Sequence, residues 1–401
     1  MHNYINNGGV TSPKGFKASG IFCGIKRKKK DLALLVSDSL CSAAGVYTLN
    51  KAKAAPLLIS QEITNQNISV KGVLINSGNA NACTGQKGFD NAKFIQSYCA
   101  DKLNVTSENI LISSTGVIGQ PLPVQKILLG IDEITNVLTE KGGLDAAEAI
   151  MTTDTIMKSF AVDVSLLSGN VTIGAMCKGS GMIMPNMATM LAFITTDARI
   201  EKELLREMLS KAVNISFNKI SVDGETSTND MVIFLANGKS DLEIKLNTED
   251  HVIFQEALDD LCITMAKSIV SDGEGATKLI AINVTGADSQ KDAELVCKSL
   301  ANSPLLKTAM HGEDANWGRI MSAAGMSGAN FNPSKVSISF DGLPVLQPDF
   351  KILLDEEEAK KILSKNEFSI NINLNGGKYS CTWWTCDFSV DYVKINARYR
   401  T

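Results

Sequence analysis

The chain has 401 residues, of which 44% are hydrophobic, so it is long enough for two or three domains with a substantial core. A formal net charge of −4 argues against nucleic acid or an acidic membrane surface as a partner. The first residues lack the apolar segment of a signal peptide, and no apolar run approaches the ~18 residues of a membrane span. We therefore expect a cytoplasmic protein.

Cysteine and histidine usage excludes several kinds of site. The nine cysteines are scattered and form no CxxC pair, so reduced, buried thiols are expected. The three histidines are His2, His251 and His311, and none belongs to an HExxH motif or stands near a GxSxG turn. A zinc site and a Ser-His-Asp triad are therefore not predicted, and an acyl-transfer enzyme of this composition would use a base other than histidine.

The N-terminal part of the chain alternates apolar runs with polar turns. Strands of a mixed sheet are predicted at residues 19–25, 31–38, 53–60 and 69–76, and a helix at 90–103. The basic run at 26–30 is most simply a solvated hairpin turn. The loop SGNANACTGQKG that follows Asn76 either lines a site or is a plain turn, and these residues alone leave both interpretations open.

The next strand, within ENILISSTGVIG, ends in a turn of small residues that includes Thr115, Gly116 and Gly119. The turn has no Walker lysine, so a P-loop is not predicted. An acyl-transfer reaction needs donors for a tetrahedral oxyanion, and the Thr115 hydroxyl and Gly116 amide are suitable groups. A helix that ends in a polar turn is predicted within 144–157, and strands are predicted at 158–165 and 170–176.

The stretch 178–197, KGSGMIMPNMATMLAFITTD, places a glycine-rich loop before a buried strand. The Thr189 hydroxyl could attack the carbonyl of Ala188, and hydrolysis of the resulting ester would leave Thr189 as a new N-terminus. Its α-amine, with an ordinary pKa of ~7.7–8, could then serve as the general base for its own hydroxyl. An Ala-Thr pair at this position is also compatible with the simple start of a core strand.

The remaining elements alternate similarly. Helices are predicted at 201–213, 251–270, 290–301 and from 355, strands at 190–196, 231–238 and 277–287, and strands with a hairpin at 335–347 and 367–389. The loop 223–230 contains Asp223, Glu225 and Asp230, but their spacing does not match an EF-hand, so no calcium site is predicted.

Several strings together resemble the ornithine acetyltransferase family, also called the glutamate N-acetyltransferase family. They are NSGNANACTG, STG, GSGM-x-x-PNMATML after Lys178, DGETSTND, HGEDANWGRI and the terminal NARYRT. The resemblance implies an α/β, mixed-sheet, two-domain fold of the self-processing N-terminal-nucleophile type. It also implies cleavage between Ala188 and Thr189 into an α chain, 1–188, and a β chain, 189–401, which associate as α2β2.

The resemblance further assigns the site residues. Thr189 is the nucleophile and its own base, and Thr115 with Gly116 forms the oxyanion hole. The adjacent Thr153 leaves the position of one substrate contact open. The residues expected to contact substrate are Thr152, Lys178, Thr189, Glu274, Asn396 and Thr401.

The implied reaction is a ping-pong transfer of the acetyl group from N-acetyl-L-ornithine to L-glutamate in arginine biosynthesis. No cofactor or metal is expected, and acetyl-CoA remains open as a second acetyl donor. Two alternatives stand beside this interpretation. One is an N-terminal-nucleophile amidohydrolase or aminopeptidase with water as acceptor, and the other is a non-catalytic binding protein with the same fold.

Overall fold

The computed structural model of the protein describes residues 2–184 and 190–398. The described residues form two compact units. The first contains the chain up to residue 179, together with 190–218 and 225–269, and the second contains 180–184, 219–224 and the chain from 270 onward. None of the helices in this described part of the chain combines the length and the apolarity of a membrane span.

The elements are numbered in chain order. The strands are β1 His2–Tyr4, β2 Phe16–Ile21, β3 Leu32–Tyr47, β4 Val70–Asn79, β5 Ile110–Val117, β6 Lys158–Ser165, β7 Asn170–Lys178, β8 Leu191–Thr196, β9 Arg199–Ile200, β10 Ile220–Ser221, β11 Met231–Ala236, β12 Glu243–Ile244, β13 Leu279–Ala287, β14 Ser337–Phe340, β15 Leu343–Gln347, β16 Lys351–Ile352, β17 Glu367–Asn373 and β18 Tyr379–Cys386. The helices are α1 Ala55–Asn65, α2 Gly85–Lys102, α3 Val124–Ile134, α4 Gly143–Ala149, α5 Lys202–Ile215, α6 Glu249–Ser271, α7 Gln290–Ala301, α8 Pro304–His311, α9 Trp317–Gly325, α10 Glu356–Leu363 and α11 Val390–Ala397.

The first unit is built on a mixed nine-stranded sheet. The strand order is β1-β6-β7-β8-β11-β3-β4-β5, with β2 paired to β3. The β8–β11 and β4–β5 pairs are parallel, and the other pairs are antiparallel. All residues of β8 and β11 are buried, which explains why both strands are continuous apolar runs in the sequence. Helices α1, α4 and α5 pack on β5, β2 and β3.

The second unit contains a seven-stranded sheet with the order β10-β18-β13-β17-β14-β15-β16. Helix α7 packs on β13 and β18, and α9 packs on α7. The core of this unit includes Ile282, Leu300, Phe340 and Ile370. Mixed sheets covered by helices in both units confirm the α/β class expected from the sequence.

Strand β8 occupies an interior position that bears on the predicted cleavage. It pairs with β7, which precedes residues 188 and 189, and with β11 on its other side. The predicted α and β chains therefore do not coincide with the two units. Instead, the first unit takes neighbouring strands of one sheet from both sides of the predicted cut.

One predicted element is wrong and others differ in extent. Residues 53–60, expected to form a strand, begin the helix α1. Pro56 in the first turn favours a helix start, and the buried residues Pro56, Ile59 and Ile63 share one helical face. The helix expected at 144–157 ends at Ala149, before a polar turn. Helices α8 and α9 lie in a stretch for which the sequence analysis predicts no element.

Candidate functional site

The predicted oxyanion-hole residues lie where the parallel strands β4 and β5 end side by side. Gly78 and Gly116 are register partners. Gly116 has φ of 132°, and a Cβ there would lie 2.3 Å from the carbonyl carbon of Gly78, so glycine is required for this close approach. Thr115 is 4% exposed, and its hydroxyl forms no hydrogen bond with the other described residues. Gly116 is therefore held close to Gly78, and the proton of the buried Thr115 hydroxyl is not donated to another described residue.

Buried asparagines hold the loop after β4 against the end of β5. The Asn76 amide donates to the carbonyl of Asn79 at 2.9 Å, and the Ser114 hydroxyl donates to Asn76 Oδ1 at 2.6 Å. The Asn229 amide donates to the carbonyl of Ser114 at 2.9 Å and to that of Ala80 at 2.7 Å. These bonds pair the asparagine side chains with backbone carbonyls, and they hold Ser114, the residue that precedes Thr115.

Ala188 and Thr189 lie outside the described residues, but the next residue is described. Met190 is buried, and its amide donates to Asp230 Oδ1 at 3.0 Å. Asp230 follows Asn229, which holds Ser114. The side chain of Asp230 thus holds Met190, which follows Thr189, and the side chain of Asn229 holds Ser114, which precedes Thr115. The segment 226–230 therefore connects the chain next to the predicted nucleophile with the chain next to the predicted oxyanion hole.

Lys178 lies in a buried ionic cluster at the end of β7. Asp154 accepts hydrogen bonds from Lys158 Nζ at 2.9 Å, the Gly179 amide at 2.7 Å and the Thr152 amide at 2.9 Å. Lys178 Nζ lies 3.9 Å from Asp154 Oδ2, and both lysines are 2% exposed. Burial alone would raise the pKa of the Asp154 carboxyl, but the two lysine charges and the amide bonds hold it well below its ordinary value.

The same cluster orders the turn that carries Thr152. Its amide is bound by Asp154, whereas Thr153 makes no such bond among the described contacts, and both threonines are half-buried. Lys178 is therefore not the surface lysine that its residue type alone would suggest. The cluster brings Thr152 and Lys178 to the same carboxylate.

The basic run is not uniformly solvated as predicted. Residues 27–29 are exposed, but Lys26 turns inward, and its ammonium donates to the carbonyl of Met151 at 2.8 Å. Burial is the main cause that lowers the pKa of Lys26 to about 8, and the charge of Lys178 acts in the same direction. The Lys26 chain also covers Gly78, whose missing Cβ would lie 2.9 Å from Lys26 Cγ. Lys26 thus lies beside both the Thr152 turn and the end of β4.

Within the second unit, Glu274 and Asn396 are in direct contact. Glu274 is 7% exposed, and its carboxylate accepts a hydrogen bond from the Asn396 amide at 2.8 Å. The Glu274 amide donates to the carbonyl of Ser180 at 2.9 Å. A Cβ at Gly181 would lie 2.5 Å from the Glu274 carboxyl group, so the loop preceding the predicted cleavage site must pack here as glycine. Thr401 lies outside the described residues.

The acidic residues of the loop 223–230 are divided between the two units. Asp223 accepts the amides of Met182 and Ile183 at 2.6 and 2.8 Å, whereas Asp230 belongs to the first unit. Among the described residues no cluster of three or more histidine, cysteine or acidic side chains could hold a metal ion. His311 Nδ1 lies 2.7 Å from Asp387, whose carboxylate also accepts the amides of Thr277 and Lys278.

Comparison with known proteins identifies the family. The model of the ArgJ family matches residues 17–401. A relative from Caldanaerobacter subterraneus subsp. tengcongensis, named arginine biosynthesis bifunctional protein ArgJ, is 46% identical over 99% of this chain and 100% of its own. The chain belongs to the ArgJ family. A second ArgJ protein, from Chlorobaculum tepidum, is 47% identical over 97% of this chain and 96% of its own.

Two solved structures are similar to parts of this chain. The arginine biosynthesis bifunctional protein of Bacillus halodurans is 41% identical, with a TM-score of 0.45, over 47% of this chain and 98% of its own. The ornithine acetyltransferase of Mycobacterium tuberculosis, solved with ornithine, is 34% identical, with a TM-score of 0.43, over 46% of this chain and 98% of its own. Membership of the ArgJ family, shown by the matches along the whole chain, confirms the family resemblance inferred from the sequence.

Sequence reasoning missed several residues that organise this site. These are Lys26, Asp154, Asn229 and Asp230. Asp154 carries a weak signal, since Lys158 follows it at a spacing of four residues. Lys26 was interpreted together with its exposed neighbours, and Asp230 was considered only as part of an acidic loop whose spacing does not match a calcium site. Each of them matters because it is at least partly buried, and the burial of a polar or charged residue cannot be predicted from a short stretch of sequence.

Proposed function

We propose that this member of the ArgJ family is an ornithine/glutamate N-acetyltransferase of arginine biosynthesis, with Thr189 as its nucleophile after cleavage of the Ala188–Thr189 bond. The proposal is carried by the family match along the chain. The consecutive residues Asn229 and Asp230 support it. The Asn229 side chain binds Ser114, which precedes Thr115, and the Asp230 side chain binds Met190, which follows Thr189.

The first step is maturation of the chain. The Thr189 hydroxyl attacks the carbonyl carbon of Ala188, and the C–N bond breaks as the acyl group moves from nitrogen to oxygen. Water then hydrolyses this ester. The products are a carboxylate on Ala188 and a free α-amine and hydroxyl on Thr189, which together supply a nucleophile and its base.

Acetyl transfer follows in two halves. The Thr189 hydroxyl attacks the acetyl carbonyl of N-acetylornithine and passes its proton to the α-amine. The Thr115 hydroxyl and Gly116 amide stabilise the oxyanion, and ornithine leaves with a proton. The amine of glutamate then attacks the acetyl ester, giving N-acetylglutamate and the free hydroxyl. Every proton and acyl group in this scheme is supplied by the chain or its substrates, so the scheme requires neither metal nor cofactor.

The substrate-holding roles follow the charges at the site. Lys178 offers a buried ammonium for a substrate carboxylate, next to the turn that carries Thr152. In the second unit Glu274, held by Asn396, offers a carboxylate for the side-chain ammonium of ornithine or the α-ammonium of Thr189. Thr401 completes the proposed set.

The two products of cleavage would stay together. The cut separates β7 from β8, which are joined by antiparallel pairing from Ile173↔Thr196 to Lys178↔Leu191 in the interior of the sheet. Pulling them apart would expose the apolar faces of β8 and break this ladder. The pairing into α2β2 is proposed from the family resemblance, and measurement of the native mass would test it, with a single αβ pair as the contrary result.

Cleavage is tested by intact mass and N-terminal sequencing of wild type, Thr189→Ala and the control Thr308→Ala, which alters an exposed helical threonine. Wild type and Thr308→Ala should give two fragments, one beginning Thr-Met-Leu-Ala, and Thr189→Ala a single chain. An uncut wild-type chain would refute the proposed nucleophile.

Transfer is tested with N-acetylornithine and labelled glutamate. The expected result is labelled N-acetylglutamate in equal amount to released ornithine, with little free acetate. Free acetate that glutamate does not suppress would identify an amidohydrolase instead. Replacing N-acetylornithine by acetyl-CoA in the same assay tests for a second acetyl donor.

A further inference from the structure

Lys26 is a cation beside the Lys178 cluster to which the scheme above gives no role. It lies in the turn between β2 and β3, and Asp31 orders this turn. Asp31 Oδ1 accepts the Cys23 amide at 2.7 Å, and Asp31 Oδ2 accepts the Lys26 amide at 2.8 Å. Lys26 is half-buried, whereas the three basic residues that follow it are exposed. The turn therefore holds one lysine of the basic run at the site.

A single peptide group connects Lys26 with the cluster around Lys178. Lys26 Nζ binds the carbonyl oxygen of the peptide bond between Met151 and Thr152 at 2.8 Å, and Asp154 Oδ2 binds the amide of that peptide bond at 2.9 Å. Lys178 Nζ lies 3.9 Å from the same carboxyl oxygen of Asp154. These contacts place the two ammonium groups no more than about 12 Å apart.

The charge of Lys26 has no anionic partner within the described part of the chain. Lys26 forms no ion pair there, and one of its three N–H groups is bound, by the carbonyl of Met151. Burial is the main cause that lowers the pKa of Lys26 to about 8, and the negative charge of Asp31 opposes this fall without reversing it. An ammonium group in this environment would be stabilised by a further carboxylate.

The two substrates of the proposed reaction differ in the charge of their side chains. N-acetylornithine has one carboxylate and a side-chain ammonium, whereas glutamate has two carboxylates. Glu274, proposed above to hold the ammonium of ornithine, would repel the second carboxylate of glutamate. Lys178 can pair with one of the two carboxylates. Glutamate therefore needs a cation that N-acetylornithine does not need.

We propose that Lys26 binds the side-chain carboxylate of glutamate while Lys178 binds its α-carboxylate. The two carboxyl carbons of extended glutamate lie about 5 Å apart, and each ion pair adds roughly 3–4 Å, so glutamate can reach between the two ammonium groups. This inference rests on the proposed function and makes Lys26 a specificity-determining residue for the second half of the reaction, in which the acetyl group is accepted.

The kinetic test uses Lys26→Met, which keeps an unbranched side chain beside Gly78 and removes the charge, and the control Lys28→Met, which alters an exposed residue of the same run. Each cut enzyme is assayed with glutamate and with glutamine, its uncharged analogue, as acceptor. A merely structural disturbance lowers both values of kcat/KM and leaves their ratio unchanged. We expect Lys26→Met to reduce the preference for glutamate at least about 10-fold and Lys28→Met to leave it unaltered. An active Lys26→Met enzyme with the wild-type ratio would overturn the inference.

A second measurement uses wild type alone, so it decides the question even if Lys26→Met does not fold. Reductive methylation with labelled formaldehyde is followed at each lysine by peptide mass spectrometry. Saturating N-acetylglutamate should slow methylation of Lys26 at least about 5-fold more than N-acetylglutamine at the same concentration, with Lys28 unaffected. Equal rates at Lys26 with the two compounds would refute the contact. Failure of the proposed function would be recognised separately, because wild type would then form no N-acetylglutamate from N-acetylornithine and glutamate.

Discussion

Replacing Asp154 by asparagine would test whether the buried cluster at Lys178 stabilises the fold through charge. Asparagine keeps the size of the side chain and one carbonyl oxygen, but it removes the negative charge that faces Lys158 at 2.9 Å and Lys178 at 3.9 Å. Removing one partner of a buried ion pair typically costs about 3–5 kcal/mol, because the remaining charge stays desolvated. We expect a loss of this size in the free energy of unfolding at neutral pH.

The pH dependence follows from the direction of the pKa shift. The pKa of Asp154 is lower in the folded than in the unfolded chain, so its stabilising effect is complete above the ordinary carboxyl pKa of about 4 and is lost as pH falls through the folded value. The difference in the free energy of unfolding between the protein with Asp154 and its Asp154→Asn variant should therefore be constant from about pH 7 to 5 and shrink below about pH 4.

The assay is urea unfolding followed by circular dichroism, with each change placed in Thr189→Ala so that one covalent chain unfolds. Asp163→Asn is the control, since Asp163 lies on β6 with Lys158 but is exposed and accepts only the Thr172 hydroxyl at 2.9 Å among the described contacts. The loss in the free energy of unfolding caused by Asp163→Asn should stay below about 1 kcal/mol. A loss below about 1 kcal/mol for Asp154→Asn as well would refute the electrostatic argument.

Four further substitutions test the catalytic and substrate-binding roles. Thr115→Val keeps the side-chain shape and removes the hydroxyl, so kcat should fall about 10²–10³-fold with an almost unchanged melting temperature; an unchanged kcat would remove this donor from the oxyanion hole. Glu274→Gln should leave cleavage intact and raise KM for N-acetylornithine at least about 10-fold, and an unaltered KM would show that the carboxylate does not face the substrate. Thr152→Ala should raise KM more than Thr153→Ala, because Asp154 binds the Thr152 backbone amide and so holds the Thr152 hydroxyl near the Lys178 cluster. The opposite order would move the substrate contact by one residue.

The sequence predicted those elements in which periodicity and burial coincide. The strand predicted at 158–165 is β6, and the helix predicted at 290–301 is α7. Residues 53–60 were misassigned because a short apolar run fits either a strand or a buried helix. Helix α8 was missed because its short apolar segment is followed directly by a polar turn.

The candidate site was predictable where strings of residues carry the family pattern, as at Thr115 and Lys178. The groups that hold those residues in place were not predictable from local strings. Asp154 and Asp230 are single acids in polar segments, and only the folding of distant segments over them makes them buried and gives them partners. Such residues are found from the structure, because their environment depends on contacts between segments far apart in sequence.

The interior position of β8 also constrains how the protein can be made. Under the proposed cleavage, a polypeptide starting at residue 189 would by itself present one edge of β8 unpaired, and a polypeptide ending at 188 would present the matching edge of β7. Both would be open, apolar strand edges of the kind that aggregate. Synthesis in a single reading frame avoids this, since the two strands pair before the chain is cut. Refolding of the mature protein would become a second-order reaction, so its recovery from denaturation should depend on concentration, whereas recovery of the precursor should not.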